Sequence, residues 1–387
     1  MGSTKTTTGQ RLKRVLFTVA LDPSMKFGSL EEQMYILACA FKEHGSVFLP
    51  VFISPLGPEA ADAYEAAGLQ ARYLDLSKVS FTTFRQLVQL IDQQKIELVH
   101  WNFYSPLNKY IWYLTMFRPR LQHYMTDHNS RPYGINHSLG QTKKIIKKVL
   151  LSRYRKVLCV SDFVLECLNS EGTWSNLSRC THFINTERFK SDEEMQSRIR
   201  KELDCEGEFV VLVVANLIEA KGVDVVLKAL ALISEGVIVW IVGDGNDAVR
   251  LKELCSSLGL EAKVRFLGLQ RRVEAYMQAA DCLVCPSIWR EAAGLVILEG
   301  LGCGLPVIGS AVGGIPEFIE DGETGFLFGV GDYQQLAEKI YFLQNNPEAC
   351  AEMGKSARQE AVRRFSVGVR IGEYLDMYRE DTTMQLV

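Results

Sequence analysis

Glu291 and Glu299, which are separated by seven residues, are the strongest candidates in the sequence for functional carboxylates. Glu299 lies in the segment GLVILEGLGCG, whose other residues are aliphatic residues, glycine and one cysteine. A segment that is apolar on all sides predicts a buried helix, and glutamate is almost never fully buried without a partner. We therefore expect a basic group of the protein, or the hydroxyl groups of a bound ribose or sugar, to complete this carboxylate.

Three loops that follow predicted strands carry residues suited to an anionic ligand. Lys221 and Gly222 open a helix after EFVVLVVAN, where a lysine is a point charge beside free backbone N–H groups. Gly243 lies in the turn VGDGND, which fits either a close approach of the backbone to a ligand or plain turn chemistry. Gly28 and Ser29 open the first predicted helix, although an ordinary turn there would look the same.

Strand-like apolar segments alternate with amphipathic helices along the chain, and this pattern predicts parallel sheets covered on both faces. The pattern restarts near residue 205, after the charged segment 185–208, which we interpret as a linker. We predict an α/β fold with two Rossmann-like domains facing a central cleft, at residues 1–190 and 191–365. A C-terminal helix at residues 366–387 is expected to cross back to the first domain. Ligands bind such folds at the carboxyl ends of the strands.

His128 ends the predicted strand HYMTDH, which places it at the cleft side of the first domain. His100 lies inside another strand and is interpreted as a core histidine. A core position is the ordinary alternative for a single histidine, so the sequence leaves both interpretations of His128 open.

Composition narrows the class of protein. The chain has 387 residues, a net charge of −3 and a pI of about 6.1, so no basic field indicates nucleic acid as the main partner. It has no run of 18 apolar residues, and the polar N-terminus lacks a signal core. Cys282 and Cys285 form the one C-x-x-C and are interpreted as core residues rather than a redox or zinc pair. A cytoplasmic protein with reduced thiols is expected.

The motifs, taken in order, resemble the retaining nucleotide-sugar glycosyltransferases of family 4, which have the two-domain GT-B architecture. The E-x7-E signature of that family and the glycine-rich segment that follows it are similar to PSIWREAAGLVILEGLGCGLPVIGSAVGGIPEFIEDGETGFLF in this chain. Supporting matches are LIEAKGVDVVLKAL, VGDGND, VRFLGL and FINTERF. The resemblance is close from Phe183 to Asp332. It is looser in the first half, where FGSLEE, MTDH and VLCVSDFV carry it.

The resemblance implies roles for the matching residues. Glu291 would contact hydroxyl groups of the donor sugar, and Glu299 those of the nucleotide ribose. Lys221 would neutralise the diphosphate, and His128 would lie near the sugar and the acceptor. The catalytic residues implied are thus His128, Glu291 and Lys221. The donor-binding residues implied are Glu299, Gly28, Ser29, Asn216, Gly243, Ala293, Gly294 and Leu295.

The sequence departs from the family pattern at three places. Asn216 stands where the family usually has an arginine, so one positive partner of the phosphates is missing unless another basic residue substitutes. The usual E-G-F-G is here EAAG, beginning at Glu291, and the usual double glycine of the first loop is Gly28-Ser29. These differences leave the identity of the donor open.

The activity implied is retaining transfer of a sugar from a nucleoside diphosphate sugar to a hydroxyl acceptor in polysaccharide, glycolipid or glycoconjugate synthesis. The chain has no D-x-D motif, so neither a metal nor a cofactor is expected. Two alternatives remain open: a nucleotide-sugar epimerase or phosphorylase, and a non-catalytic sugar-nucleotide-binding subunit. Asn216 keeps the second alternative open.

The segment 140–157, GQTKKIIKKVLLSRYRKV, combines basic residues with an apolar stripe. One interpretation is docking on an anionic membrane that carries a lipid-linked acceptor, which would place the protein peripherally on the inner face of that membrane. The other is a solvated basic helix face. The aromatic run WNFYSPLNKYIWYLTMF is similarly open between an acceptor groove and the core.

Overall fold

Two parallel sheets organise the computed structural model, which describes residues 10–24, 28–105, 108–130, 141–172 and 175–379. The first sheet has the order β3-β2-β1-β4-β5-β6-β7. Its strands are β1 Val15–Val19, β2 Phe48–Phe52, β3 Arg72–Tyr73, β4 Leu98–Asn102, β5 Gln122–Asp127, β6 Lys156–Cys159 and β7 Leu177–Arg179. Its helices are α1 Ser29–Glu43, α2 Pro58–Ala66, α3 Phe81–Gln93, α4 Lys109–Phe117, α5 Gln141–Leu151 and α6 Asp162–Glu171.

The second sheet has the order β10-β9-β8-β11-β12-β13. Its strands are β8 Phe209–Val214, β9 Val237–Val242, β10 Val264–Gly268, β11 Cys282–Cys285, β12 Val307–Ser310 and β13 Gly325–Phe328. The helices around it are α7 Glu193–Glu202, α8 Val223–Leu230, α9 Ala248–Ser257, α10 Val273–Ala279, α11 Leu295–Gly302, α12 Tyr333–Asn345, α13 Pro347–Phe365 and α14 Val367–Met377. Single 3₁₀ turns form at Glu219–Lys221 and Ile315–Glu317.

In each sheet the first strand of the domain lies in the interior. The next two strands in sequence lie on one side of it and the later strands on the other side, which is the doubly wound order of Rossmann folds. The strands β1, β2, β4 and β9 are buried along their whole length, because helices cover both faces of each sheet. The prediction of an α/β fold with two Rossmann-like domains is therefore confirmed.

The last helix of the described residues, α14, packs on the first sheet. Tyr374 and Leu375 of α14, together with Tyr378, belong to the same buried cluster as Leu12 and Phe41. The preceding helix α13 instead lies against α11 of the second sheet. The break between these two helices, at Ser366, is thus the point where the chain passes from one sheet to the other.

The charged segment 185–208 is more than the linker that its composition predicts. It contains α7, which packs against α10 beside the second sheet. Arg200 at the end of α7 donates a hydrogen bond of 2.6 Å to Oδ2 of Asp281. The charged side chains of Glu193, Glu194 and Arg198 are exposed, and the helix is anchored by the buried Ile199.

Cys282 and Cys285 both lie buried in β11. Burial raises the pKa of the Cys285 thiol to about 12, so this thiol is protonated and unreactive at neutral pH. The structure therefore agrees with their interpretation as core residues.

Candidate active site

A cleft of about 580 Å³ opens at the carboxyl ends of the strands and is lined by both domains. It brings together ten of the eleven residues that the sequence singled out. From the first domain these are Gly28 and Ser29, and from the second domain Asn216, Lys221, Gly243, Glu291, Ala293, Gly294, Leu295 and Glu299. The exception is His128, which lies beside a smaller cavity of the first domain.

Glu299 reaches the cleft from α11, a helix whose other residues are mostly buried. Its carboxylate is partly buried rather than fully buried, because it lies on the one side of the helix that faces the cleft. Oε1 accepts a hydrogen bond from Oγ of Ser29, the first residue of α1 in the other domain. A hydroxyl group of the protein is thus among the partners of this carboxylate.

Glu291 and Lys221 form an ion pair at the floor of the cleft. The Glu291 side chain is only 9% exposed, whereas that of Lys221 is 31% exposed. Oε1 of Glu291 also accepts a 2.5 Å hydrogen bond from Ser287, and Oε2 accepts one of 3.4 Å from Ser130 of the first domain. Two residues expected to bind different parts of a ligand are therefore paired with each other in the structure.

The start of α11 supplies backbone donors to the cleft. Gly294 precedes the first residue of this helix, Leu295, and both line the cleft together with Ala293. The first N–H groups of a helix have no partner within it, and they carry the positive end of the helix dipole. This stretch can therefore receive an anion.

Gly243 and Asn216 belong to two turns packed tightly on each other. Gly243 has φ +134°, and a Cβ atom placed on it would lie 1.8 Å from the carbonyl oxygen of Ala215. The neighbouring Gly245 would bring a Cβ to 2.7 Å from Oδ1 of Asn216. The close approach of these two turns explains both glycines without a ligand, although Gly243 does line the cleft.

His128 follows β5, and its imidazole stacks between two other rings. The ring centroids lie 4.2 Å from Phe103 and 5.3 Å from His182, with interplanar angles of 12° and 21°. Burial, with the nearby His182 and His100, holds the pKa of His128 well below its ordinary value. The side chain is therefore a neutral imidazole at neutral pH.

Arg188 and Glu317 join the domains, and neither was predicted from the sequence. Arg188 lines the cleft and donates to Glu32 of α1 at 3.2 Å and to Glu274 of α10 at 3.0 Å. Glu317 accepts hydrogen bonds of 2.8 and 2.7 Å from the backbone N–H groups of Asp162 and Phe163, at the start of α6. These contacts can be recognised only in the structure, because each arginine or glutamate and its partners lie far apart in the sequence at no regular spacing.

A second arginine, Arg271, also lines the cleft, in the loop that follows β10. The cleft that contains Asn216 is therefore bordered by Arg188 and Arg271, so it contains basic side chains besides Lys221.

Among the described residues no group of three or more His, Cys, Asp or Glu side chains is arranged to hold a metal ion. Within the same ranges, no helix is both long and apolar enough to cross a bilayer.

The second domain matches a known protein family. Residues 195–360 match the family described as glycosyl transferases group 1. N-acetyl-alpha-D-glucosaminyl L-malate synthase of Bacillus anthracis is 34% identical over 193 residues, which are 49% of this chain and 50% of that protein. A GDP-mannose-dependent phosphatidylinositol monomannoside mannosyltransferase of Mycolicibacterium smegmatis is 27% identical over 63% of this chain and 69% of its own length. The chain spans about half the length of the first of these relatives.

Solved structures resemble the whole chain. HepE of Anabaena, solved in complex with UDP and glucose, superposes with a TM-score of 0.79 at 22% identity, over 94% of this chain and 99% of HepE. Sucrose-phosphate synthase of Thermosynechococcus elongatus gives a TM-score of 0.78 at 20% identity over 95% of this chain and 98% of that chain. The fold is therefore that of the GT-B glycosyltransferases. The resemblance to glycosyltransferases read from the sequence is confirmed, by the family match over residues 195–360 and by the architecture of the whole chain.

Proposed function

We propose that the protein is a retaining glycosyltransferase of family 4, which transfers a sugar from a nucleoside diphosphate sugar to a hydroxyl acceptor. The observation that carries the proposal is the convergence of Glu299, Lys221 and the start of α11 on one cleft, opposite Ser29. These groups supply a carboxylate for ribose hydroxyls, a cation for phosphate and N–H donors for an oxyanion. The match of the second domain to group 1 glycosyltransferases supports the same assignment.

Donor binding replaces the contacts that the protein makes with itself. The ribose hydroxyls take the place of Ser29 on Glu299, and the diphosphate attracts Lys221 away from Glu291. The carboxylate of Glu291 then accepts hydrogen bonds from hydroxyl groups of the donor sugar. The leaving diphosphate is stabilised by Lys221 and by the N–H groups around Gly294, each donor contributing about 3–4 kcal/mol. The proposal assigns this stabilisation to the protein alone, without a metal or cofactor.

Retention follows from attack on the face from which the diphosphate leaves, with a phosphate oxygen accepting the proton of the acceptor hydroxyl. A retaining mechanism through a covalent intermediate needs a carboxylate nucleophile instead. The proposal does not give Glu291 that role, because Ser287 and Ser130 still donate to its two oxygens after Lys221 has moved to the diphosphate. Analysis of the product anomer by NMR tests this point: a linkage of inverted configuration would contradict it.

The most direct test of the function is a thermal-shift screen against nucleoside diphosphates and their sugars. A ligand at 100 times its Kd stabilises the folded protein by about 2.7 kcal/mol. Ligands that stabilise the protein are then incubated alone and with hydroxyl acceptors. Transfer supports the proposal, whereas an epimerised donor identifies an epimerase. Binding without turnover, against any acceptor, identifies a non-catalytic subunit.

We also propose that the acceptor is lipid-linked and that the first domain docks on an anionic membrane. Helix α5 exposes Ile145, Ile146 and Val149 beside Lys148. Residue 140 and the side chains of residues 141–144, which belong to the predicted basic segment, lie outside the described part of the chain.

Helix α4 extends this surface. Trp101 and Tyr110 from the aromatic run are core residues, but Met116 and Phe117 are exposed. The guanidinium carbon of Arg153, just after α5, lies 3.2 Å from the ring centroid of Trp112 on α4, so the two helices are neighbours. Apolar side chains flanked by basic groups suit an interface with anionic lipid.

Sedimentation with liposomes tests the membrane proposal. The protein is expected to sediment with vesicles that contain phosphatidylglycerol and to stay in solution with phosphatidylcholine alone. Replacing Ile145 and Ile146 by serine should abolish sedimentation. Val249→Ser, which changes an exposed apolar residue of the second domain, should leave it unchanged. Equal sedimentation of both variants would contradict the proposal.

A further inference from the structure

Asn102 and Phe103, at the end of β4, contact His128 and have no role in the function described so far. The Asn102 side chain is buried, at 2% exposure. Its amide Nδ2 donates to the carbonyl oxygen of Thr18 at 3.3 Å, and its Oδ1 lies 3.0 Å from Nε2 of His128. The carbonyl of Thr18 can only accept a hydrogen bond, so it fixes which end of the amide faces the histidine.

The orientation of Asn102 determines the tautomer of His128. An amide oxygen can only accept, so Nε2 of His128 must carry the hydrogen. A neutral imidazole has one N–H group, and burial lowers the pKa of His128 far enough to keep the ring neutral. The titratable rings packed around it, His182 and His100, have pKa values lowered to about 4 and about 3, so they too are neutral. The lone pair of His128 is therefore on Nδ1.

Phe103 fixes the plane of the same ring at a cost in backbone strain. Its φ is +60°, in the left-handed region that a bulky side chain seldom adopts. The other described non-glycine residues with positive φ, Lys95 and Asp204, each lie just beyond a helix end, where this conformation is common. Phe103 instead follows a strand and stacks on His128. Strain of this kind persists where the surrounding structure imposes it, and it is concentrated at functional sites.

The loop that carries His128 reaches the cleft. Ser130, two residues further along, donates to Oε2 of Glu291. Glu291 is the carboxylate that the proposed function assigns to the donor sugar. His128 is thus two residues from the first-domain side chain that contacts this carboxylate.

We propose that Asn102 and Phe103 are positioning residues, which hold His128 with hydrogen on Nε2 so that Nδ1 accepts a hydrogen bond from a hydroxyl group of the sugar or the acceptor. Asn102 sets the tautomer and Phe103 sets the plane of the ring. The inference rests on the proposed function, because that function supplies the hydroxyl group.

The tautomer can be measured directly on the ligand-free protein. Long-range ¹H–¹⁵N spectra of the imidazole rings at pH 7.5 distinguish the two nitrogens, and comparison with the spectrum of His128→Gln assigns the signal. The wild-type protein and Asn102→Asp are expected to show hydrogen on Nε2. Asn102→Leu, which removes the acceptor, should show a mixture of both tautomers. Hydrogen on Nδ1 in the wild-type protein would overturn the proposal, whether or not an acceptor substrate is known.

Kinetics separate positioning from a purely structural role. Asn102→Leu should lower kcat for transfer, or for donor hydrolysis, by at least tenfold with little change in donor KM. Asn102→Asp should retain activity above neutral pH, while the acid limb of its kcat profile moves to higher pH, because a carboxylate favours the charged imidazolium. A structural role alone would lower the melting temperature of the variants and leave the acid limb unmoved.

Matched variants test Phe103. Phe103→Gly removes the ring together with the backbone strain, and Lys95→Gly relieves the same strain at an exposed helix end. Only Phe103→Gly should lower kcat, and Phe103→Tyr should restore it. Equal kcat values for the two glycine variants would contradict the role of Phe103.

Calorimetric titration of the wild-type protein with nucleoside diphosphates keeps this inference distinct from the proposed function. If no nucleoside diphosphate binds, the proposed function is contradicted. If a nucleoside diphosphate binds but the acid limb of the kcat profile of Asn102→Asp does not move, only the inference about Asn102 is contradicted.

Discussion

Ser29 donates a hydrogen bond to Glu299 across the cleft, joining the start of α1 in the first domain to α11 in the second. The ion pair of Lys221 with Glu291 lies in the same cleft, and Ser130 contacts Glu291 from the first domain. The carboxylates of Glu291 and Glu299 are therefore completed by groups of the protein itself. A ligand gains only the difference between its contacts and those it replaces, so binding at this site is an exchange of partners.

The role of Glu299 can be tested with Glu299→Gln. The amide keeps the size of the side chain but removes the charge that strengthens a hydrogen bond to ribose. A hydrogen bond to a charged group contributes about 1.5–3 kcal/mol, so the affinity for the nucleoside diphosphate should fall by about 10–100-fold. Calorimetric titration measures this change.

A nucleotide lacking both ribose hydroxyls provides the cross-check. It should bind the wild-type protein more weakly by a similar factor, but the further loss in Glu299→Gln should be smaller, because the charge-assisted part of the interaction is already gone. Glu338→Gln, on the exposed side of α12, is the control and should leave binding unchanged. If the two losses simply add, Glu299 does not contact the ribose.

Lys221→Met should destabilise the protein because it leaves the nearly buried carboxylate of Glu291 without its cation. Removing one partner of a buried ion pair costs about 3 kcal/mol or more, and the partial exposure of Lys221 places the expected loss at the lower end. Urea denaturation followed by circular dichroism measures the free energy of unfolding.

The double variant Lys221→Met/Glu291→Gln separates stability from function. It should recover most of the lost stability, since no charge remains unpaired, yet show no sugar transfer. Recovery of transfer together with stability would show that the pair serves the fold alone.

The sequence was sufficient to predict the two Rossmann-like domains and most of the cleft. Strands with continuous apolar residues and loops after them are local patterns, and the topology of parallel sheets brings those loops to one edge. The contacts of Glu291 were not predictable, because Lys221 and Ser130 lie 70 and 161 residues from it and no spacing records such pairings. The stacking of His128 on Phe103 and His182 was not predictable for the same reason, although its place at the end of a strand was.

Acid should unfold the protein through its buried histidines. Burial lowers the pKa of His100 to about 3, and those of His123 and His182 to about 4, from an ordinary value of 6.5. The unfolded chain therefore binds more protons between pH 6.5 and about 4, so stability is full above pH 6.5 and falls as the pH falls. Each such histidine contributes a slope of about 1.4 kcal/mol per pH unit in that window.

Urea denaturation at several pH values between 7.5 and 4.5 measures this slope. His123→Phe should reduce it by the contribution of one histidine, whatever the effect of this substitution on absolute stability. Val249→Ser, which changes an exposed residue that does not titrate, should leave it unchanged. Identical slopes for the wild-type protein and His123→Phe would show that His123 is protonated in the folded state.

Gly243→Ala distinguishes the two interpretations of the glycine turn after β9. The new Cβ would meet the carbonyl oxygen of Ala215 at 1.8 Å, in a backbone conformation that alanine rarely adopts. Strain and overpacking together should cost about 3 kcal/mol of unfolding free energy. Gly259→Ala is the matched control, because Gly259 also has positive φ, +66°, but open space around it, so it should cost only about 1 kcal/mol. If Gly243→Ala instead keeps full stability and loses only nucleotide binding, the glycine serves the ligand and not the packing of the two turns.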